Sequence, residues 1–172
     1  MNPFQKVNKQ KSIFITAGYP EIDSLSQQIE LLDSYAIDFI EIGIPFSDPL
    51  AKTPLVLMGY INPVLNYGME NFVKSCKERQ IASVILPDMS VEIYERFYQE
   101  IFESNDLPVT FLITPDTTHA RILKIARHCK SSFVYLVSGN STTGKASDLQ
   151  LNTEKIREIK EILGITPLMI GF

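Results

Sequence analysis

DFIEIGIPFSDPLAKTPLVLMGYINP, residues 38–63, holds two runs of strand type, Asp38–Ile42 and Pro54–Gly59, whose starts lie 16 residues apart. Both are aliphatic on two faces, as strands buried between helices are. Runs of the same kind recur at Ser12–Ala17, Ser83–Leu86, Pro108–Ile113, Phe133–Val137 and Pro167–Ile170. Helical patterns lie between them at Ser24–Tyr35, Met69–Arg79, Val91–Ser104, Thr118–Lys130 and Asn152–Leu163. The first of these places Leu25, Ile29, Leu32 and Tyr35 on one stripe. Ser90 is a candidate N-cap, Asn66-Tyr67-Gly68 a turn, and Gly164 a helix stop. The alternation predicts one α/β domain over residues 1–172, built of right-handed βαβ units. Seven strands suit a (β/α)8 TIM barrel or a doubly wound sheet.

The other strand starts are spaced by 25 to 34 residues, which fits a strand–helix repeat. The 16-residue interval does not, because a parallel crossover takes about a dozen or more residues beyond the strand. Either these two strands are not parallel neighbours, or a helical unit is absent after Ala51. The chain is also shorter than the ~250 residues typical of such a barrel. An incomplete or truncated barrel is expected.

The chain has 172 residues, 45% hydrophobic and 21% charged, with a net charge of −4. This balance disfavours a nucleic-acid or anionic-membrane surface. No stretch approaches the ~18 apolar residues of a membrane span, and no apolar signal core follows MNPFQKVNKQKS. A cytoplasmic protein is expected. Cys76 and Cys129 lack metal-ligand spacing and read as buried or half-buried free thiols. His119 and His128 fall at the two ends of one predicted helix, where terminal polar roles fit better than catalysis. No metal site is implied.

In parallel α/β folds the ligand site lies at the carboxyl ends of the strands. Glu41 stands out there, a carboxylate in the otherwise apolar run Phe39–Ile42. Burying it is costly unless it is paired or its pKa rises, and a raised pKa suits a proton shuttle near neutral pH. A glutamate that merely caps the strand end is the other reading. Ser138–Gly144 has the small residues that let backbone amides approach a phosphate; a loop without ligand fits as well. Asp48 could cap a turn, and Tyr60 and Tyr135 could be core aromatics.

Residues 40–51, IEIGIPFSDPLA, resemble the signature that follows strand two in the tryptophan synthase α subunit family. Phe14–Pro20, Leu57–Pro63, Leu86-Pro87-Asp88, Tyr135–Ser138, Thr143-Gly144 and Ile170–Phe172 match that family in order. The resemblance implies a TIM barrel, a lyase cleaving indole-3-glycerol phosphate to indole and glyceraldehyde 3-phosphate, and a place in an α2β2 heterotetramer. It implies Glu41 as the catalytic proton shuttle, with Tyr135 beside it. Phe14 would wall the indole pocket, and Tyr60 falls among the substrate-binding positions. Thr143 and Gly144 would belong to a mobile loop near the phosphate. Asp48, Pro49 and Asn62 would face the β subunit. No cofactor is implied for this chain; pyridoxal phosphate would sit on the β subunit.

Two departures stand out. In the family, Pro-Leu-Ala is followed by Asp-Gly-Pro, whose aspartate is the second catalytic carboxylate and binds the indole N–H. Here Lys52 follows Ala51 and leads into the next strand. The family's strand eight, with its Gly-Ser phosphate loop, has no counterpart after Phe172. A truncated, non-catalytic protein that binds the β subunit is therefore one alternative. Another sugar-phosphate-binding barrel is a second, but a Schiff-base aldolase needs a lysine at a strand end, and the predicted ends offer Glu41 and Asp88.

Overall fold

The computed structural model describes residues 2–5, 9–19, 21, 23–43, 53–137 and 153–171. The elements run β1 (Ser12–Thr16), α1 (Leu25–Asp33), β2 (Phe39–Gly43), β3 (Leu55–Met58), α2 (Ile61–Tyr67), α3 (Met69–Glu78), β4 (Ser83–Ile85) and α4 (Val91–Ile93). A wider-wound helical stretch follows at Tyr94–Tyr98, then α5 (Gln99–Ser104), β5 (Val109–Thr110), β6 (Leu112–Ile113), α6 (His119–His128), β7 (Val134–Val137), α7 (Thr153–Leu163) and β8 (Leu168–Gly171).

Every strand pairing is parallel, in the orders β1-β2-β3-β4-β5 and β6-β7-β8. The two sheets are continuous through Phe111, whose carbonyl accepts the Tyr135 N–H at 3.0 Å. Strand order equals chain order, as in a barrel; a doubly wound sheet reverses direction at a switch point.

Period-two alternation divides the side chains between two faces. Ile40, Ile42, Leu57, Val84, Val109, Val134 and Leu136 pack outward against helical residues such as Ile29, Val73, Phe102, Ile125 and Ile159. The inner face gathers Phe39, Val56, Ile85, Phe133 and Tyr135, with Phe4. Phe4 closes the amino-terminal end of the strands, its ring 5.3 Å from Phe39 and 4.7 Å from Phe133 in edge-on contacts. Beside this plug three buried hydroxyls satisfy one another. Ser83 lies 2.9 Å from Thr110 and 2.7 Å from Ser132, and Thr110 also bonds Ser132. Mutual bonding removes the desolvation cost of about 1–3 kcal/mol that an unpaired hydroxyl would carry.

The predicted strands and helices are present, with ends shifted by a residue or two, except that the single strand expected over Pro108–Ile113 is two short ones, β5 and β6. β2 and β3 are parallel neighbours, Ile40 opposite Leu55, so the first explanation of the short interval falls. Three further features differ from expectation. Helix α2, which contains Pro63, is not among the helical patterns read from the sequence. That proline is the third residue of the helix, where no intrahelical N–H is needed. Asp88 Oδ1 accepts the Ile61 N–H at 2.9 Å and caps the helix from the end of β4. The helix predicted over Val91–Ser104 widens at Tyr94–Tyr98. Two ordinary turns hold about 7.2 residues, so widening lets Tyr94 and Phe102, eight apart, share one buried face, with ring centroids 5.7 Å apart. Finally, β1 and β8 are not buried on both faces: Phe14 is 52% exposed and Ile170 36%. Each is an end strand in its sheet order, with a neighbour on one side.

Ser90 accepts the Ile93 N–H at 3.3 Å as the N-cap, and Gly164 ends α7 at φ +59°. Cys76 and Cys129 are free and buried, and burial pushes both thiols up to about 12. His119 and His128 are the first and last residues of α6, and His128 Nε2 lies 3.0 Å from Glu95 Oε1. No helix of the described residues is long and apolar enough to cross a membrane.

Candidate functional site

Glu41 is the middle residue of β2, between outward-facing Ile40 and Ile42, so alternation turns it to the inner face. It is 3% exposed. Its register partners are Phe14 on β1 and Val56 on β3. Burial drives its carboxyl pKa above the ordinary 4.5, because the charged form loses water, and a hydrogen bond from the Ser12 hydroxyl opposes the rise.

Tyr135 faces this carboxyl from β7. Its phenol is pushed up to about 12, first by burial and then by the negative charge of Glu41. The pair has the form a proton-handling site takes: a carboxyl that burial makes easier to protonate and a phenol that stays protonated.

Two glycines make room for the aromatic side chains. The Tyr135 hydroxyl occupies the place where a Cβ at Gly171 would stand. A Cβ at Gly43 would lie 2.9 Å from Phe14 Cζ. Both glycines are inward-facing last residues of their strands, which leaves the Phe14 ring half uncovered beside Glu41. A flat apolar ligand could lie against that ring.

Glu41, Phe14 and Tyr135 are thus brought to one inner face. Tyr60 immediately precedes α2, just past the carboxyl end of β3, and is 68% exposed. Asn62 is exposed in the first turn of α2. Asp48, Pro49, Thr143 and Gly144 lie outside the described residues. Sequence reasoning missed Ser12, Gly43 and Gly171 as site-shaping positions. Ser12 carried a readable signal, a polar residue two before Phe14 and so on the same face.

The family model described as "Tryptophan synthase alpha chain" matches residues 4–54 and 50–172. A tryptophan synthase alpha chain of Flavobacterium psychrophilum is 38% identical over 208 aligned residues, covering 98% of this chain and 81% of the relative. One from Bacteroides fragilis is 33% identical, with 94% of this chain and 74% of the relative covered. Among solved structures, the Campylobacter jejuni alpha subunit superposes with a TM-score of 0.78 at 24% identity, covering 98% and 79% of the two chains. A chain of the Pyrococcus furiosus tryptophan synthase α2β2 complex gives 0.76 at 26% identity, covering 95% and 78%. The 208-position alignment is longer than the whole 172-residue chain. The relative therefore carries positions this chain lacks. The two segments of the family match meet at residues 50–54, at the strand interval that is too short for a crossover.

Proposed function

This chain belongs to the tryptophan synthase alpha chain family, with the lyase role in tryptophan biosynthesis that membership implies, and we propose that it cleaves indole-3-glycerol phosphate through Glu41. The reaction is a retro-aldol cleavage to indole and glyceraldehyde 3-phosphate. Protonated Glu41 gives its proton to C3 of the indole. The carboxylate so formed takes the proton of the glycerol hydroxyl next to the breaking bond. As the C–C bond breaks, its electron pair returns to the indole ring and the C–O bond becomes the aldehyde double bond. The products leave Glu41 protonated again, with atoms and charge balanced.

The observation that carries this reading is the buried carboxyl on the inner face, level with Phe14 and facing Tyr135. A group that must both give and take a proton works best with a pKa near the operating pH, and burial moves Glu41 in that direction. Phe14 supplies an apolar wall for the indole. Tyr60, at the strand ends, and Thr143 and Gly144, which come after β7 in the sequence, are assigned to substrate and phosphate. Asp48, Pro49 and Asn62 are assigned to contact with a β subunit in an α2β2 heterotetramer; the Pyrococcus furiosus relative comes from such a complex.

Purified chain mixed with indole-3-glycerol phosphate, alone and with the β subunit, is expected to release indole. One other reading has specific support. The family match breaks at residues 50–54, where the resemblance puts the second carboxylate, so the chain could bind the β subunit without cleaving substrate. A complex seen by native mass spectrometry that yields no indole would favour that reading and overturn the first.

A further inference from the structure

We propose that Gly43 is a positioning residue for the aromatic wall of the site: the tip of the Phe14 ring rests in the space its missing side chain leaves, and that seat sets where a planar ligand stacks. This rests on the reading given above, in which Phe14 walls the indole. Phe14 pairs with Glu41, and Thr16 pairs with Gly43. Phe14 and Gly43 are therefore diagonal neighbours on the inner face, within reach of an aromatic side chain. A Cβ at Gly43 would meet Phe14 Cζ at 2.9 Å, Phe14 Cε2 at 3.6 Å and the Ile15 carbonyl oxygen at 3.7 Å. Carbon atoms in contact sit about 3.5–4.0 Å apart, so of these three atoms only the ring tip stands where a side chain would be. The ring thus leans towards the carboxyl end of β2, one inner-facing position, or about 7 Å, beyond Glu41.

Other reasons for a glycine at this place do not hold. Among the described residues the glycines with positive φ are Gly18, Gly68 and Gly164, so no left-handed backbone calls for one at 43. The register runs unbroken through Gly43, with Thr16 opposite on β1 and Met58 on β3, so it marks no bulge. Its carbonyl accepts the Ala17 N–H at 3.1 Å. What remains is close approach, here by the Phe14 ring. That ring is 52% exposed, so it is seated on β2 and open to a ligand elsewhere. A methyl group at position 43 would push the ring tip about 0.5–1 Å away to restore an ordinary contact, and a mismatch of that size gives up about a quarter to a half of the attraction to a ligand stacked on the ring.

The test is the affinity of the full chain for indole, followed by the ligand's own fluorescence; the chain has no tryptophan to obscure it. Gly43→Ala is expected to raise the Kd about two- to tenfold, the worth of one aromatic contact. Phe14→Leu has no ring tip to displace, so adding Gly43→Ala to it should leave the Kd where Phe14→Leu alone puts it. An unchanged Kd in Gly43→Ala overturns the proposal, as does an equal rise in the wild-type and Phe14→Leu backgrounds. In turnover, Gly43→Ala should raise KM for indole-3-glycerol phosphate with kcat nearly kept, whereas loss of folded protein lowers kcat and leaves KM alone; the second pattern also overturns it. Wild type that binds no indole would sink the reading of the site and this inference with it. Unchanged indole release by Glu41→Gln would sink the shuttle alone and leave the indole affinities to judge Gly43 separately.

Discussion

Replacing Gly171 by alanine should destabilise the protein, against the usual sign of such a change. In an ordinary strand, alanine is favoured over glycine by about 0.5–1 kcal/mol, because glycine gives up more freedom on folding. At position 171 the new Cβ would coincide with the Tyr135 hydroxyl and come within 2.6 Å of its Cε1. The ring must then leave its place on the inner face, and overpacking of this kind costs about 1–3 kcal/mol. The expected net loss is about 1–2 kcal/mol, or roughly 2–8 °C in Tm at about 2–4 °C per kcal/mol for a chain of this size. Urea and thermal unfolding followed by circular dichroism would measure it. The decisive arm is a double-mutant cycle with Tyr135→Leu, which removes the clashing ring atoms and keeps an apolar filler. In that background Gly171→Ala should become neutral or mildly stabilising, giving a coupling of about 1–3 kcal/mol. An equal loss in both backgrounds, or a gain in the wild type, would refute the account of Gly171 as the recess for Tyr135.

Glu41 should also make stability depend on pH. Its folded pKa is raised above 4.5, so its contribution is fully present below the unfolded value and is lost as pH rises through the folded one. Urea unfolding from pH 4 to 8 should show wild type losing stability relative to Glu41→Gln as pH rises; a flat or opposite difference would count against a buried, desolvated carboxyl. Ser83→Ala, which leaves Thr110 and Ser132 bonded to each other, is expected to cost about 1 kcal/mol in the same unfolding assay, and no cost would mean the three hydroxyls do not stabilise the barrel together. Asp88→Ala removes the side chain that accepts the Ile61 N–H and should cost about 0.5–2 kcal/mol, the range for a lost helix cap, with a value near zero showing that another group or water takes over.

The strands were legible because a buried parallel sheet needs apolar residues on both faces, and adjacent residues such as Phe39 and Ile40, or Leu55, Val56 and Leu57, say so directly. Glu41 was legible for the converse reason, a carboxylate where such a strand has no use for one. The short interval between β2 and β3 was legible from length alone, and the break in the family match falls at the same place. Helix α2 was not, because Pro63 signals a loop unless one knows that it sits in a first turn whose Ile61 N–H is capped by Asp88, 27 positions after Ile61. The widened turn at Tyr94–Tyr98 escaped for a similar reason. Helical periodicity assumes ordinary winding, and only packing shows that Tyr94 and Phe102 must share a face. Gly171 acts through Tyr135, a residue on another strand, and local sequence does not carry that pairing.

The most direct test of Glu41 as the proton shuttle is the steady-state rate of indole formation from indole-3-glycerol phosphate, with the β subunit present, for wild type and Glu41→Gln. Loss of an acid–base group predicts a fall in kcat of about 10²–10⁴-fold with KM nearly unchanged. Equal kcat in the two proteins would contradict it.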